Sequence, residues 1–414
     1  MKERRFQQLA IFTPDGDFGF DRLRSDPFGL LDAVSRGGRV TIRSDDPALV
    51  ASSLLVLDGV ASEVSLVPRG SASLGDIVSP DVSAVGVQAP PGVLVESAPP
   101  LWDGSTRWVL FTSGTTGIPK RIEHTLSSLI RTVRPRVAGP ALVWGLLYEP
   151  NRMAGLQVLL HCLLSGQSLV APERDVSLGD RIDALRDGGV NALSATPTLW
   201  RRILLLGAHH EWKMRQITLG GEIADQAVLS ALAHEFPGAR ITHVFASTES
   251  GAAFSVSDGR AGFPAEFLDD CPSGVRLEIR NGILHVLNPH SSAAEADGFV
   301  STDDRVELVD DRVMFRGRAT GVVNIGGSNI WPEEVESLLR LHPCVQDAGV
   351  KAAPNPITGN VLVATVVAAD DAYRRALPGI LRRWVRERAT SAHVPARVRI
   401  VDELPTTAAD KVER

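Results

Sequence analysis

The sequence is poor in residues that mark several classes of protein. Of its 414 residues only three are cysteine, and Cys162, Cys271 and Cys344 lie far apart. Such wide separation excludes the short ligand spacing of a structural zinc site and any disulfide framework. The longest apolar run, 153–171, is interrupted by Gln157, His161 and Gln167, so it predicts a buried helix and strand rather than a membrane span.

The sequence also has no large excess of charge of either sign. The net charge is −6 and the basic residues are dispersed, so the composition does not favour a nucleic-acid surface. The first five residues, which include three basic side chains, lead into no long apolar region, so no secretory signal is expected. With 44% apolar and 22% charged residues, the composition is ordinary for a soluble globular protein. The three widely separated cysteines favour a reducing, cytoplasmic compartment.

Helical and strand patterns alternate along most of the chain. The alternation covers 1–100 and resumes over 141–225, which predicts layered α/β subdomains around a doubly wound parallel sheet. The proline-rich stretch 80–103 is interpreted as an extended connector. Beyond residue 255, short strands with polar turns indicate a small antiparallel β unit, and a compact α+β piece follows from 322. The expected fold class is therefore α/β, with a large N-terminal domain over 1–319 and a small, mobile α+β domain over 320–414.

One stretch, 111–120, has the composition of a phosphate-binding loop. It reads Phe-Thr-Ser-Gly-Thr-Thr-Gly-Ile-Pro-Lys and follows an apolar strand. Glycines let backbone N–H groups approach an anion, hydroxyls donate further hydrogen bonds, and Lys120 supplies positive charge. A kinase-type P-loop is excluded, because Pro119 stands at its second glycine position and Arg121 replaces the Ser/Thr after its lysine.

Six segments follow one another along the chain: 112–120, 220–222, 245–251, 298–304, 317–318 with 326–336, and 404–414. Together they resemble the motifs of the adenylate-forming superfamily, which contains acyl- and aryl-CoA synthetases, peptide-synthetase adenylation domains and luciferases. Departures from the usual motif residues are Phe245 for Tyr, Ala246 for Gly, Asp303 for Gly, Thr320 for Asp or Lys, and Asp410 for Gly. The part of the chain before residue 100 looks shorter than in many members.

The resemblance implies roles for particular residues. Lys411, Thr248 and Glu249 would be catalytic, with Glu249 also the ligand of Mg²⁺. Thr320 would lie at the hinge, and Gly326 with Gly327 would line the channel for the attacking thiol. The implied ATP-binding residues are Thr112, Ser113, Gly114, Thr115, Thr116, Gly117, Lys120, Phe245, Asp304 and Arg318. The implied acid pocket consists of Ala154, Gly155, Gly220, Gly221, Glu222, Ala246 and Ser247.

The implied chemistry is activation of a carboxylic acid by ATP to an acyl-adenylate, followed by transfer to the thiol of coenzyme A. Two alternatives stay open: a stand-alone adenylation enzyme that loads the phosphopantetheine of a carrier protein, and a non-catalytic adenylate-binding regulatory protein. For coenzyme A, Lys351 or Arg397 could bind the 3′-phosphate. No nucleic-acid partner is expected.

The nature of the acid depends on a few charged positions. Small and apolar residues dominate the expected pocket walls, which favours an apolar acyl or aryl acid over an α-amino acid. Asp225 or Glu222 could still replace the aspartate with which amino-acid-activating relatives bind an ammonium group. If Arg152 points into the pocket, a second carboxylate on the substrate, as in o-succinylbenzoate, becomes possible.

Overall fold

The fold is taken from a computed structural model of the protein. It describes residues 10–13, 16–34, 37–68, 93–96, 106–112, 120–130, 133, 141–207, 212–247, 251–287, 298–370 and 374–405. These form two compact units. The first comprises Met1–Ser194, Trp212–Thr218 and Ala246–Ala252, and the second Ala195–Glu211, Leu219–Phe245 and Ala253–Arg414.

The first unit contains strands β1 to β11 and helices α1 to α6. The strands are Ala10–Thr13, Gly16–Gly19, Arg39–Ile42, Glu63–Leu66, Val93–Glu96, Arg107–Thr112, Lys120–His124, Val143–Gly145, Ser168–Val170, Ala192–Ala195 and Gln216–Leu219. The helices are Phe20–Arg24, Leu30–Ala33, Pro47–Val56, Leu126–Ile130, Met153–Ser165 and Leu178–Asp187.

A five-stranded sheet carries the segment that leads to the predicted phosphate loop. Its order is β5-β3-β4-β6-β7, with β3, β4 and β6 parallel and the two edge strands antiparallel. Edge strand β5 lies within 80–103, the stretch interpreted as an extended connector, and four residues of that stretch therefore belong to a sheet. The apolar residues of Val93–Glu96 extend the sheet by pairing with β3.

A second sheet of this unit has the order β11-β10-β8-β9-β1-β2. Strands β10, β8, β9 and β1 run parallel, and β2 returns antiparallel as a hairpin. Helices α3 and α5 supply much of the apolar core of the unit. Nine of the ten residues of α3 are buried, which fits its apolar composition on every face.

The second unit contains strands β12 to β23 and helices α7 to α10. The helices are Pro197–Leu205, Gln226–Glu235, Pro332–Arg340 and Leu377–Arg386. The strands are Arg240–Ser247, Gly251–Val256, Phe263–Pro264, Arg276–Arg280, Ile283–Leu287, Val300–Val309, Arg312–Arg318, Val323–Ile325, Ser328–Ile330, Val345–Asn355, Gly359–Ala368 and Arg397–Val401.

Two sheets of this unit match the two textures of the sequence beyond residue 255. The first is antiparallel, with the order β14-β18-β17-β16-β15. The second has the order β21-β22-β23, and its core also contains side chains of α9 and α10. The predicted α/β class, with a small β unit and a terminal α+β piece, is confirmed. No helix in the described ranges combines the length and apolar character needed to cross a membrane.

Candidate active site

The predicted phosphate loop is flanked by a paired hairpin. Thr112, at the end of β6, lies opposite Lys120, the first residue of β7. Lys120 is exposed, and within the described part of the chain it makes no hydrogen bond or ion pair. The next residue, Arg121, is instead occupied by Glu63 and Glu123. The Thr112 side chain and the predicted residues Ser113, Gly114, Thr115, Thr116 and Gly117 lie outside the described residues.

The beginning of α5 carries two residues of the predicted acid pocket. Ala154 is exposed, whereas Gly155 is buried against the preceding turn. A Cβ atom at Gly155 would lie 2.1 Å from the carbonyl oxygen of Glu149, so only glycine fits here without moving the backbone. The same carbonyl accepts the backbone N–H of Arg152 at 3.1 Å, which fixes the turn.

Arg152 does not present an unpaired charge. Its guanidinium donates to the carboxylate of Glu149, three residues earlier in the chain. Arg174 lies 4.0 Å from the same carboxylate and 3.7 Å from Asp45. The positive charge that could have bound a second substrate carboxylate is therefore already balanced within the protein.

The turn Gly220–Glu222 is held by hydrogen bonds to α7 and β10. The Gly220 N–H donates to the carbonyl of Ala195 at 3.3 Å, and Gly221 has a φ of +79° that favours glycine. The Glu222 carboxylate accepts the backbone N–H of Thr198 at 3.0 Å, in the first turn of α7. Glu222 therefore serves as a helix-terminus acceptor, where a carboxylate is favoured by the helix dipole.

Asp225 is the second carboxylate near this turn, and it is also occupied. It caps α8 by accepting the Val228 N–H at 3.0 Å, and it pairs with Arg201 at 2.6 Å and with Arg340 at 3.6 Å. Burial alone would raise the pKa of Asp225, but the two guanidinium groups outweigh this and hold the pKa below its usual range. Neither Glu222 nor Asp225 is placed as a spare partner for a substrate ammonium group.

Phe245 belongs to an aromatic cluster. Its ring packs nearly parallel to Phe254 and to Phe315, at centroid distances of 5.2 and 5.3 Å. The surroundings are apolar, so phenylalanine replaces the usual tyrosine without leaving a buried hydroxyl to satisfy. The following residue, Ala246, is exposed. The Ser247 side chain, Thr248 and Glu249 lie outside the described residues.

Asp304 and Arg318 form a polar pair among those predicted nucleotide-binding residues that the structure describes. They are cross-strand partners on β17 and β18, and Arg318 Nη1 lies 3.1 Å from Asp304 Oδ1. The Asp304 side chain is 9% exposed and that of Arg318 is 50% exposed. Burial raises the pKa of Asp304, and the charge and hydrogen bond of Arg318 offset this only in part.

The residue before Asp304 adopts a backbone conformation that favours glycine. Asp303, which stands where the family motif has glycine, has a φ of +57°. The strand register shifts between Asp304 and Val306, so the left-handed residue lies at a β-bulge. Thr302, which we did not single out from the sequence, accepts the Asp304 N–H at 3.1 Å and donates to the Leu284 carbonyl at 2.9 Å. The sequence signal for this role was the position of Thr302, two residues before Asp304, from which a hydroxyl can accept the backbone N–H of the aspartate.

Gly326 and Gly327 form the tip of the β19–β20 hairpin. Their φ values are +57° and +90°, as in the two-residue turns that match the twist of a hairpin. Asn324 supports this tip, because its side-chain oxygen accepts the Gly327 N–H at 3.2 Å. Both glycines are exposed. At the predicted hinge, the backbone of Ala319–Gly321 makes one 3₁₀ turn, and the side chain of Thr320 lies outside the described residues.

The remaining catalytic predictions concern residues that the structure does not describe. Lys411, Thr248 and Glu249 are in this group, so their roles stay predictions. Among the described residues there is no group of three or more His, Cys, Asp or Glu side chains that could hold a metal ion. The predicted Mg²⁺ ligand, Glu249, is not among these described residues.

Comparisons with known proteins agree with this combination of fold and motifs. The AMP-binding enzyme family model matches residues 40–313, and the model of the AMP-binding enzyme C-terminal domain matches 334–411. These matches cover well over half of the chain. The protein is an enzyme of the adenylate-forming superfamily, and within it the chain belongs to the AMP-binding enzyme family.

Its similar relatives include coenzyme A ligases. The 2-succinylbenzoate–CoA ligase of Listeria innocua is 26% identical over 338 residues, covering 76% of this chain and 70% of that protein. A human mitochondrial acyl-coenzyme A synthetase is 29% identical over 345 residues, covering 74% of this chain and 59% of that protein. A variant of E. coli MenE with bound OSB-AMS shares the fold, with a TM-score of 0.73 and 20% identity over 96% of this chain and 93% of that one.

Proposed function

We propose that the protein is an AMP-forming acid–thiol ligase that uses coenzyme A. In the first step a substrate carboxylate oxygen attacks the α-phosphorus of ATP, giving an acyl-adenylate and pyrophosphate. In the second step the thiol of coenzyme A attacks the acyl carbon, and AMP leaves with its electron pair. The observation that carries the proposal is the Asp304–Arg318 pair, at its motif positions in a chain that belongs to the AMP-binding enzyme family.

The proposed roles follow the residues in hand. Asp304 accepts hydrogen bonds from the ribose hydroxyls, and Arg318 binds ribose or phosphate. The loop from Thr112 to Lys120 holds the β- and γ-phosphates, with the Lys120 ammonium exposed at its base. Glu249 binds Mg²⁺, which offsets negative charge at the α-phosphorus. Lys411 binds the incoming carboxylate and the α-phosphate.

We propose a division of the chain into 1–319 and 320–414. The first family match ends at residue 313 and the second begins at residue 334. The 3₁₀ turn Ala319–Gly321 lies between them. Movement about this turn would bring Lys411 to the carboxylate and the α-phosphate of ATP for the first step and remove it afterwards. The exposed Gly326–Gly327 tip would border the thiol path for the second step.

The substrate class we propose is an apolar monocarboxylic acid, acyl or aryl. Arg152 is balanced by Glu149, so no unpaired cation is available in this part of the predicted pocket for a second carboxylate. Glu222 and Asp225 are held by helix termini and arginines, so neither favours an amino acid. In this respect we expect the protein to differ from its relatives named 2-succinylbenzoate–CoA ligase.

Coenzyme A is supported as acceptor by a row of basic residues. Lys351 on β21 and Arg397 on β23 both pair with Val363 of β22, so the three residues form one row across the sheet. Arg399 follows two residues later, and all three basic side chains are exposed. Because residues opposite one another on paired strands project from the same face, this face can bind the 3′-phosphate of coenzyme A.

A carrier protein is the second candidate acceptor, and one feature favours it. Helix α10 exposes Arg382, Arg383 and Arg386, and none of their guanidinium groups makes an ion pair or hydrogen bond within the described residues. An unpaired basic helix face suits an acidic protein partner. The non-catalytic alternative is disfavoured because the chain keeps Glu249, Arg318 and Lys411 at the motif positions.

The test is a pyrophosphate-release screen of aliphatic, aromatic and amino acids with the full-length protein. Coenzyme A and then a holo-acyl carrier protein are supplied as acceptors. We expect release with apolar monocarboxylic acids and thioester formation with coenzyme A. Loss of activity in Lys411→Ala would support the mechanism, whereas unchanged ATP–pyrophosphate exchange in that variant would exclude it. If none of the acids in the screen causes pyrophosphate release, the non-catalytic alternative is favoured.

A further inference from the structure

A buried cluster of five charged residues lies in the second unit. Arg340, the last residue of α9, is at its centre, with its side chain 10% exposed. Its guanidinium lies 2.9 Å from Asp347, 3.5 Å from Glu336 and 3.6 Å from Asp225. Arg201 of α7 completes the cluster, 2.6 Å from Asp225 and 3.9 Å from Asp347. Two cations thus face three carboxylates in one nearly solvent-free site.

The cluster joins segments that belong to different family matches. Arg201 and Asp225 lie in the part matched by the AMP-binding enzyme model, and Arg340 and Asp347 lie in the part matched by the C-terminal model. Asp225 is shared by both, because it accepts from Arg201 and also lies within ion-pair distance of Arg340. An ion pair therefore links α9, through Arg340, to Asp225, the N-terminal cap of α8.

Asp225 also lies three residues after the predicted acid-pocket turn Gly220–Glu222. Its other carboxylate oxygen caps α8, so its side chain is fixed from both ends. A shift of the turn would have to move Asp225 relative to Arg340, or move α9 with it. Removal of one partner from a buried ion pair strongly destabilises the fold, because the remaining charge is neither paired nor hydrated.

A second pair of residues joins the same segments but is built differently. Arg202 of α7 pairs with Glu403, whose side chain is 56% exposed. An exposed pair of this kind contributes little, since water solvates both charges when the pair separates. This difference in burial makes Arg202 a matched reference for Arg340.

We propose that Asp225 and Arg340 are positioning residues that couple the acid-pocket turn to the placement of the C-terminal segment during adenylate formation. Acid bound against the turn holds the turn in place relative to Asp225, and Asp225 in turn holds α9 and the C-terminal segment that carries Lys411. The pair has no such task in thioester formation, which needs a different placement of that segment. This inference rests on the proposed function.

The test compares four variants of the full-length protein. Arg340→Met removes the charge and keeps an unbranched stem, and Arg340→Lys restores a charge. Asp225→Asn removes the charge but keeps a helix-capping oxygen. Arg202→Gln is the matched reference. Each is measured by hydrogen–deuterium exchange without substrate, by ATP–pyrophosphate exchange, by conversion of a synthetic acyl-adenylate to the thioester, and by thermal unfolding.

We expect Asp225→Asn and Arg340→Met to lower pyrophosphate exchange at least about fivefold, within the ordinary range of coupling between sites. Conversion of the supplied acyl-adenylate should change less than about twofold, and Arg340→Lys should recover part of the loss. Because coupling is reciprocal, Asp225→Asn should raise deuterium exchange in 332–340, and Arg340→Met should raise it in 220–228. Arg202→Gln should resemble the unmodified protein in all four measurements.

Equal losses in both half-reactions, or lower thermal stability alone, would show a merely structural role and overturn the proposal. So would unchanged deuterium exchange in both segments. If the unmodified protein activates no acid, the proposed function fails, and the exchange measurements still decide whether the two segments are coupled. Asp225→Asn keeps the cap of α8, so the question stays decidable if Arg340→Met does not fold.

Discussion

Asp304 and Arg318 face each other across two antiparallel strands, with the guanidinium of Arg318 3.1 Å from a carboxylate that is almost completely buried. The two side chains of this pair differ in exposure and in what they can do. The buried carboxylate is held in one orientation by Arg318 and by the Thr302 turn, while the half-exposed guanidinium keeps donors available for a ligand. Such preorganisation lowers the cost of ordering side chains when a nucleotide binds.

Asp304→Asn should raise the KM for ATP about tenfold or more, because hydrogen bonds to a charged acceptor contribute roughly 1.5–3 kcal/mol. The measurement is initial-rate kinetics of pyrophosphate release at varied ATP. Asp303→Asn is the control, since the neighbouring side chain is exposed. A KM for ATP that stays unchanged in Asp304→Asn would contradict the ribose-binding role.

The raised pKa of Asp304 predicts opposite pH dependences for stability and for nucleotide binding. A carboxyl group whose pKa is higher in the folded than in the unfolded state stabilises the fold when protonated. Its contribution to the free energy of unfolding therefore declines as the pH rises through the folded-state pKa. Nucleotide affinity, which needs the carboxylate, should instead fall as the pH is lowered through that value. Denaturant unfolding and ATP titration across this pH range, with Asp304→Asn as control, would separate the two.

Asp303→Gly should be neutral to stabilising by up to about 1 kcal/mol, because the left-handed backbone costs a non-glycine residue roughly 1–2 kcal/mol. The substitution should also lower the pKa of Asp304, since the charge of Asp303 is one of the factors that raise it. Thermal unfolding and the pH dependence of ATP binding measure the two effects. Asp303→Ala removes the same charge but keeps a Cβ, so it should share the pKa change without the gain in stability.

Gly155→Ala should destabilise the protein by about 1–3 kcal/mol or more, as overpacking does. The new Cβ would lie 2.1 Å from a backbone oxygen, which no side-chain rotation can relieve. Gly179→Ala is a matched control in the first turn of α6, where the nearest atom is 3.7 Å away and alanine is the better helix former. Equal unfolding midpoints for the two variants in denaturant would contradict the predicted steric conflict.

Glu149→Gln should shift acid selectivity. Without its partner carboxylate, the Arg152 guanidinium becomes available to a second carboxylate on the substrate. We expect the ratio of kcat/KM for a dicarboxylic aromatic acid over its monocarboxylic analogue to rise about tenfold, a typical value for one charged contact. The double substitution Glu149→Gln with Arg152→Met should abolish the gain. If the ratio does not move, Arg152 lies away from the bound acid.

The sequence predicted elements well wherever the local pattern was strong. Helix Pro332–Arg340, strand Ala192–Ala195 and the change to antiparallel strands after residue 255 all appear as expected. Edge strand Val93–Glu96 was missed because its stability comes from pairing with β3, which lies about fifty residues earlier in the chain. Proline-rich flanks hid a pattern that only the partner strand makes significant.

The order of motifs along the chain, read from the sequence alone, predicted the superfamily by resemblance, because six short segments recur in one order, and the family matches confirm it. Tertiary structure decided which charges are available. Arg152, Glu222 and Asp225 were each plausible substrate partners by residue type, and each proved to be satisfied by a group within the protein. The pairing of a charged side chain depends on contacts between distant segments, such as Asp225 with Arg340, and no local pattern encodes them.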